Sequence, residues 1–258
     1  LEDLEQSDFE RSFYSSYGKK VGQTLLTQYR MLKPIGELIS KSFYDGKLET
    51  GKISACSVLD FNSMELKNSV TWLDTSFAMQ DSYEKKPNYS NANIHSVINQ
   101  YEANVIVNLI QSLINKTNIE KIFDEGSKDE APIGVICMYA EQQKLMIRQM
   151  NSISWTRALL EKRLLKVDTV DSYQGKENDV IILSLVRNNS RFTEGFLSSE
   201  HRANVALSRA KERLFIVGAA NMWADKNTDR AFGRVLNHIK NNNECELINS
   251  DVINKEGK

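Results

Sequence analysis

Short apolar runs alternate in this sequence with segments of helical periodicity, and this alternation is the feature that most constrains the fold. The runs at 133–138 and 180–186 are apolar at nearly every successive position, as strands are when both faces of a parallel sheet are covered. Residues 94–114 and 141–150 instead repeat apolar side chains every three or four positions, which predicts helices. We therefore predict an α/β chain, a three-layer α/β/α domain built on a mainly parallel sheet.

The same patterns place the remaining elements. Further strands are predicted at 24–30, 70–73, 166–170 and 214–218, and further helices at 34–43, at 230–239, and from Ser198 or Ser199 to about Lys211. Residues 50–91 show no clear pattern apart from the strand at 70–73. In sheets of this class ligands gather at the carboxyl ends of the strands, so the polar residues just beyond each strand are the candidates for function.

Composition excludes several classes of protein. The chain has 258 residues, of which only 12 are glycine and 3 are proline, and this excludes fibrous and low-complexity classes. None of the apolar runs is long enough to cross a bilayer, so we expect no membrane partner. The 33 basic and 34 acidic residues nearly cancel, and this balance alone predicts no polyanionic partner. Residues 141–218 nevertheless carry 13 Lys and Arg against 9 Asp and Glu.

The cysteines and histidines predict neither a disulfide framework nor a metal site. Cys56, Cys137 and Cys245 are far apart and form no Cys-x-x-Cys pair, which is typical of the reducing cytoplasm or nucleus. The three histidines lack the spacing of metal ligands. The first ten residues are acidic, unlike a secretory leader, and the chain begins without Met, so we expect a piece of a longer protein.

Two polar clusters follow predicted strands in the first half of the chain. In the first, Tyr29 offers an aromatic face and Arg30 a guanidinium, a pair that suits a nucleotide, although for this cluster taken alone an ordinary exposed strand end is the favoured explanation. The second cluster, residues 138–142, contains Tyr139 and Gln142 and runs straight from a strand into a helix. A helix start offers free backbone N–H groups to an anion.

Two further clusters lie in the second half. Between two buried strands, residues 167–177 crowd hydroxyls, an amide, a glycine and carboxylates into one connection, which is more than a turn needs and favours a functional role. In the fourth cluster, Arg202 and Arg209 are seven residues apart and would share one face of a helix. Such arginines either form a solvated edge or meet a phosphate.

These clusters, in their order and spacing, resemble the motifs of superfamily 1 helicases, in the branch of the nonsense-mediated-decay helicase and senataxin. QYRM at 28–31 is similar to motif IV, the segment 168–187 to motif V, and EHRANVALSRAKERLFIVG at 200–218 to motif VI. FYDGKL at 43–48 matches the FYxGxL stretch of this branch. The resemblance covers about residues 22–220 and implies a RecA-like domain of the P-loop NTPase type.

The resemblance also implies what this sequence lacks. Helicases of this kind have two RecA-like domains, and the first carries GxxxxGK[ST] for the phosphates and an acidic pair for Mg²⁺. Neither motif occurs here. We therefore expect the second domain at 22–220, preceded by an acidic lead-in at 1–21 and followed by a helical extension at 221–258. The first RecA-like domain of the same protein and single-stranded DNA or RNA are the partners implied.

Residue roles carried over from the resemblance fall into two groups. The cofactor implied is ATP with Mg²⁺. The resemblance implies that Tyr29 stacks on the adenine and that Arg30 and Arg209 are arginine fingers at the γ-phosphate. It also implies that Glu177 contacts the ribose and that Gln174 and Gly175 lie at the edge of the cleft. For a single strand it implies phosphate contacts from Thr169 and Ser172. Three more residues match the nucleic-acid pattern more loosely, namely Tyr139, Gln142 and Arg202.

Two function hypotheses remain open at this point. The first is the C-terminal motor domain of an ATP-dependent helicase, inactive by itself because the first domain supplies the other half of the ATP site. The alternative is a helicase-like scaffold that binds nucleic acid without catalysis. The sequence departs from the family at Leu32-Lys33, where His-Pro is common, and at Met138, where Pro is usual. A dinucleotide-binding enzyme is set aside because GxGxxG is absent.

Overall fold

The computed structural model describes residues 25–52, 66–88, 96–117 and 131–256, together with residues 11, 15 and 16. Most of the acidic lead-in and Cys56 lie outside the described residues, as do residues 94 and 95 of the helix predicted at 94–114. Residues 96–99 are not helical, and that helix begins at Gln100, where the Asn99 side chain caps it. Within the described residues, no helix combines the length and apolarity needed to cross a membrane. In the same part of the chain, no group of three or more His, Cys, Asp and Glu side chains could hold a metal ion.

A six-stranded parallel sheet forms the centre of the molecule. Its strands are β3 (Val70–Asp74), β4 (Ile133–Cys137), β5 (Leu165–Thr169), β6 (Asn178–Ser184), β7 (Ala210–Gly218) and β8 (Cys245–Asn249), in the spatial order β5-β4-β6-β7-β3-β8. Every pairing between neighbouring strands is parallel. Two short strands, β1 (Thr27–Gln28) and β2 (Glu49–Thr50), form a separate parallel pair. The prediction of an α/β fold on a mainly parallel sheet is confirmed.

Helices cover both faces of this sheet. They are α1 (Lys33–Phe43), α2 (Gln100–Lys116), α3 (Ala140–Ser152), α4 (Ser154–Glu161), α5 (Glu200–Leu207), α6 (Asn221–Ala224), α7 (Ala231–Lys240) and α8 (Asp251–Glu256). One apolar core joins the sheet to α1, α5, α6 and α7, and a second joins it to α2, α3, α4 and α8. The chain is therefore the three-layer arrangement predicted from the sequence.

Burial on both faces explains why the strands are continuously apolar. Along β6, Ile181 belongs to the first core and Ile182 to the second, and both side chains are fully buried. Successive side chains of a strand point to opposite faces, so a covered sheet needs an apolar residue at each position. Full burial of one such side chain contributes about 1.5–3 kcal/mol, which fixes the register of this strand in the sheet.

The structure corrects the predicted helix that ends near Lys211. Helix α5 begins as predicted, because the Ser199 hydroxyl accepts a hydrogen bond from the N–H of Arg202, but the helix ends at Leu207. Strand β7 then starts at Ala210 rather than at Leu214. Charged side chains at 211–213 concealed this strand, since they do not look like a buried strand in the sequence. Arg209 consequently lies in the turn between α5 and β7, not on the helix face that it was predicted to share with Arg202.

A second correction concerns the region predicted as a helical extension, residues 221–258. It contains α6, α7 and α8, but residues 245–249 form β8, an edge strand that pairs with β3. Its sequence, CELIN, is short and half polar, because an edge strand is covered less completely than a central one. These residues thus complete the sheet of the domain.

Candidate functional site

Four charged side chains meet at the amino ends of β6 and β7, and we call Arg30, Glu177, Arg209 and Lys211 the amino-edge cluster. Arg30 Nε donates a hydrogen bond to Glu177 Oε2, and Arg30 Nη1 donates to the carbonyl of Ser208 at 3.1 Å. Lys211 Nζ lies 3.4 Å from Glu177 Oε1. Arg209 Nε donates to the carbonyl of Val205 in helix α5 at 2.9 Å. Two cationic groups thus pair with the Glu177 carboxylate, and Lys211 Nζ also lies 3.9 Å from Asp179 Oδ1.

The pKa values of the cluster reflect this crowding. Partial burial favours the neutral form of Glu177, but Arg30 and Lys211 outweigh it and lower the pKa of this carboxyl below its usual value. The pKa of Arg209 is also lowered, first by burial and then by the positive charge of Arg30. The two guanidinium groups therefore disfavour each other, and an additional anion between them would relieve the excess of positive charge.

The turn that carries Arg30 is held by Gln28. The Gln28 side-chain oxygen accepts hydrogen bonds from the N–H groups of Arg30 at 2.9 Å and Met31 at 2.7 Å. Its amide nitrogen donates to the carbonyl of Met31 at 3.0 Å and to the Thr50 hydroxyl at 2.9 Å. All of the polar atoms of one side chain are used to fix a four-residue turn. Gln28 therefore positions Arg30 rather than offering itself to a ligand.

Tyr29 projects from the same turn and is 73% exposed. Its ring lies on the backbone of Gly51, and a Cβ atom at that glycine would lie only 2.3 Å from Tyr29 Cε1. Any side chain at position 51 would therefore displace the ring. An exposed aromatic ring, fixed beside the amino-edge cluster by a close backbone contact, is a surface on which a planar group can stack.

A buried ion pair supports this turn and was missed by the sequence analysis. Lys52 Nζ lies 2.8 Å from Glu212 Oε1 and also donates to the carbonyl of Arg30 at 3.2 Å. Glu212 is only 2% exposed. Removing one partner of such a pair leaves a buried charge without compensation, so the pair acts as a fixed support. Glu212 lies within the segment that resembles motif VI, but nothing in the sequence pairs it with Lys52, which is 160 residues away in the chain.

Gln174 and Gly175 lie in the turn that precedes Glu177, and both are exposed. Gly175 has φ of +84°, a left-handed conformation that a side chain disfavours, although the space around it is open. The glycine is thus required by the backbone and not by packing.

The second group of predicted residues lies at the opposite edge of the sheet, beyond the carboxyl end of β5. Thr169 Oγ1 and Ser172 Oγ are hydrogen-bonded at 3.1 Å and face solvent. Arg202 Nε lies 3.0 Å from Asp171 Oδ1, so its guanidinium is held beside these hydroxyls. The Arg202 guanidinium also lies 5.3 Å from the centre of the Phe196 ring. We call Thr169, Asp171, Ser172, Phe196 and Arg202 the carboxyl-edge surface.

The structure corrects two residues of the predicted nucleic-acid group. Gln142 is fully buried; its side-chain oxygen accepts from Asn99 N at 2.8 Å, and its nitrogen donates to Asn99 O at 3.0 Å and Ser184 Oγ at 3.2 Å. Tyr139 is buried as well, which raises the pKa of its phenol, and its hydroxyl accepts from the N–H of Phe196 at 3.2 Å. Both side chains are occupied inside the domain and are not presented to a strand.

Gln142 belongs to a buried polar network that the sequence did not reveal. At its centre, Glu102 Oε2 accepts from Ser184 Oγ at 2.7 Å and from the N–H of Val186 at 2.8 Å. Burial raises the pKa of Glu102 to about 8. Val186, just past β6, has φ of +72°, an outlier for a β-branched residue, so the network holds a strained backbone in place. Glu102 follows the predicted helical pattern as a polar position, which conceals its burial.

The predicted candidates therefore divide between the carboxyl edge of the six-stranded sheet, where ligands were expected, and its amino edge. Residues 170–177 explain the division, because they carry the chain from the carboxyl end of β5 across one face of the sheet to the amino end of β6. Tyr173, in the middle of this crossing, is fully buried, and its hydroxyl donates to Asn178 Oδ1 at 2.7 Å. Motif-like residues at the two ends of one short connection thus lie on opposite edges.

Comparisons with known proteins show which family the chain is similar to. A family of AAA domains matches residues 4–221. Over 132 residues, 51% of the chain, the sequence is 45% identical to the helicase required for RNAi-mediated heterochromatin assembly 1 of Schizosaccharomyces pombe. It is 30% identical to helicase sen1 of the same organism over 91% of the chain, and 30% identical to the regulator of nonsense transcripts 1 of Caenorhabditis elegans over 89%.

The chain spans only a small part of these relatives. The aligned regions make up 12% of each of the two S. pombe helicases and 19% of the C. elegans protein. The matched family therefore covers most of this chain, whereas this chain covers little of any relative.

Proposed function

This chain belongs to the AAA domain family, in the C-terminal region of superfamily 1 helicases of the senataxin and nonsense-decay branch, and from this premise we propose that it is the second motor domain of an ATP-dependent helicase. In the whole protein it pairs with a first RecA-like domain across a cleft. The chain by itself has negligible ATPase activity, because GxxxxGK[ST] is absent from its sequence.

The observation that carries this proposal is the excess of positive charge in the amino-edge cluster. Arg30 and Lys211 pair with Glu177, Lys211 lies near Asp179 as well, and burial together with the charge of Arg30 lowers the pKa of Arg209, so three cations face two carboxylates. A triphosphate, with several negative charges, matches such a set of donors, and guanidinium groups bind phosphate oxygens in pairs. The Tyr29 ring beside the cluster, packed on Gly51, fits a flat base.

These residues would have distinct roles toward ATP, whose phosphoanhydride bond supplies the free energy of movement. Tyr29 would bind the adenine, and Gln174 and Gly175 would border the cleft. Arg30 and Arg209 would stabilise the negative charge that develops at the γ-phosphate during hydrolysis. Glu177, whose oxygens already accept hydrogen bonds from cations, would accept one from the ribose. Mg²⁺ would be held by acidic residues of the first domain.

The carboxyl-edge surface would hold a single strand of DNA or RNA. Thr169 and Ser172 present hydroxyl donors to phosphate oxygens, and Arg202 lies beside them. Contacts of this kind bind the backbone without reading the bases. We place the whole protein in the cytoplasm or the nucleus, where such strands occur.

The test replaces Arg209 by Ala in the whole protein and measures ATP hydrolysis with saturating single strand. Loss of an arginine finger is expected to reduce turnover by about 10³-fold, while KM for ATP changes by less than about threefold. Arg148→Ala, on the exposed side of α3, is the matched control and is expected to leave turnover unchanged.

Two results would contradict the proposal. Normal turnover in Arg209→Ala would exclude the arginine-finger role. A whole protein that hydrolyses no ATP with any single strand, although it binds one, would favour the non-catalytic scaffold.

A further inference from the structure

We propose that Phe196 is a stacking platform for a base of the single strand, an inference that rests on the proposed function and adds a residue outside the motifs that suggested it. The phosphate contacts proposed for Thr169 and Ser172 hold only the backbone of a strand. A ring at the same surface would bind the base itself, and stacking of this kind tolerates every sequence because each base has a flat face.

The first support is the exposure of the ring in a rigid setting. Phe196 is 47% exposed, although the next residue, Leu197, is fully buried. The two residues belong to a short 3-10 helix, Gly195–Ser198, in which the Ser198 hydroxyl donates to the carbonyl of Gly195 at 2.9 Å. Burial of Leu197 therefore fixes the turn while Phe196 remains in solvent.

The second support is the contact with Tyr139. The N–H of Phe196 donates to Tyr139 Oη at 3.2 Å, and the two ring centres are 5.3 Å apart with an angle of 32° between the planes. Tyr139 is itself buried at the end of β4. A Cβ at Gly195 would lie 2.4 Å from Tyr139 Oη, so this close approach requires glycine. One aromatic side chain thus anchors another that is exposed.

The loop before Phe196 is held from a third direction. Arg187 Nε donates to the carbonyl of Thr193 at 2.9 Å, and Arg187 Nη1 lies 2.8 Å from Glu84 Oε1. This ion pair is largely shielded from solvent. The position of the Phe196 ring is therefore set before any ligand arrives, which reduces the entropy lost on binding.

The fourth support is the chemistry around the ring. The Arg202 guanidinium lies 5.3 Å from the ring centre and is held by Asp171, whose neighbour Ser172 bonds to Thr169. An exposed ring, a guanidinium and two hydroxyls thus form one continuous surface. Aromatic faces beside phosphate-binding groups are the combination that proteins use to bind single strands.

The experiment measures binding of the 258-residue chain to two probes, fluorescein-labelled oligothymidylate and an abasic strand of the same length. Both probes carry the same phosphates, and only the first carries bases. The wild-type chain is expected to bind the thymidylate about tenfold more tightly, as one stacked base predicts. Phe196→Leu is expected to bring the two affinities within about twofold, since only the stacking term is removed.

Two further variants keep the result interpretable. Phe196→Trp preserves a stacking face and is expected to keep the preference, with tryptophan fluorescence quenched by the thymidylate and not by the abasic strand. Phe77→Leu alters a Phe that is 65% exposed on the loop after β3, and is expected to change neither affinity.

The outcomes distinguish a failure of the proposed function from a failure of the stacking role alone. If the wild-type chain binds neither probe, the proposed function fails and this inference fails with it. If the wild-type chain binds both probes and Phe196→Leu leaves the ratio of affinities unchanged, only the stacking role is overturned. An equal loss of the ratio in Phe77→Leu, or an absence of quenching in Phe196→Trp, would also overturn it.

Discussion

The two edges of the sheet carry the same kinds of side chain in opposite settings. At the amino edge, Arg30 and Arg209 are partly buried, close to each other and close to Glu177. At the carboxyl edge, Arg202 is as exposed as Arg30, 37% against 35%, but its partner Asp171 is 67% exposed whereas Glu177 is 32% exposed, and Arg202 lies next to hydroxyls and the Phe196 ring. Both edges are polar, but at the amino edge several charges are close together, and the charge of Arg30 disfavours that of Arg209.

This difference indicates different tasks. Charges held close together and partly out of water interact strongly with a compact, highly charged anion. Charges that are dispersed over an exposed surface interact weakly with any one group, and they suit a long, regularly charged partner. This assignment of tasks can be tested by substituting residues at one edge at a time and measuring both ATP turnover and strand binding.

The largest effect is expected from Arg30. In the whole protein, Arg30→Ala is expected to lower ATP turnover by about 10²–10³-fold, as loss of one preorganised donor to a developing charge does. The double variant Thr169→Ala, Ser172→Ala is expected to keep that turnover at saturating strand and to weaken strand binding by about tenfold, about the free energy of two neutral hydrogen bonds. Steady-state hydrolysis and fluorescence anisotropy measure the two quantities.

The assignment of the two edges would be contradicted by a crossed result. If Arg30→Ala weakened strand binding as much as the hydroxyl variant does, while turnover stayed normal, the division of tasks between the edges would be wrong.

A second prediction concerns the support beneath the carboxyl edge. The pKa of Glu102 is raised by burial from 4.5 to about 8, so between these pH values the folded chain holds a proton that the unfolded chain lacks. The free energy of unfolding therefore falls as pH rises through this window, by about 1.4 kcal/mol per pH unit from this group. Glu102→Gln, which cannot ionise, is expected to remove that slope.

Urea denaturation of the chain at several pH values measures this slope. The control is Glu161→Gln, an exposed carboxyl at the end of α4, which is expected to retain the wild-type slope. A wild-type chain whose stability fell no faster with pH than that of Glu102→Gln would show that the buried carboxyl has an ordinary pKa.

The smallest effect is expected from Asp171. Asp171→Asn removes a negative charge from the carboxyl-edge surface and releases Arg202, and exposed ion pairs of this kind contribute less than about 1 kcal/mol. Affinity for a single strand is therefore expected to increase about two- to threefold, with the gain shrinking at high salt. Asp225→Asn, an exposed residue near the end of α6, controls for net charge. A weaker affinity would mean that Asp171 is needed to orient Arg202.

The sequence predicted the fold well where burial is complete. β4 and β6 are continuously apolar because both of their faces are covered, and α1 begins near Pro34 with its apolar stripe against the sheet. The prediction failed where a strand carries charged side chains that are paired with other residues of the fold. Glu212 is buried against Lys52, and the charged residues around it hid the start of β7, residues 210–213, although the rest of the strand was predicted.

The candidate site was only partly predictable. Exposed groups such as Tyr29 and Ser172 were identified by their residue types, and the structure places them on the surface as expected. Gln142 is also polar, but its side chain is hydrogen-bonded inside the buried network around Glu102. A pattern of residue types cannot distinguish an exposed polar side chain from a buried one. Burial of a polar group depends on partners distant in the chain, which one sequence does not reveal.

The crossing at 170–177 has a mechanical consequence. It joins the two edges with eight residues, and its middle is clamped, because a Cβ at Gly134 would lie only 2.0 Å from the buried Tyr173 hydroxyl. Backbone hydrogen bonds from Tyr173 N to Val170 O and from Lys176 N to Tyr173 O, both 3.1 Å, fix the crossing from within. A displacement of either end is therefore transmitted through a packed, hydrogen-bonded segment instead of being absorbed by a loose loop.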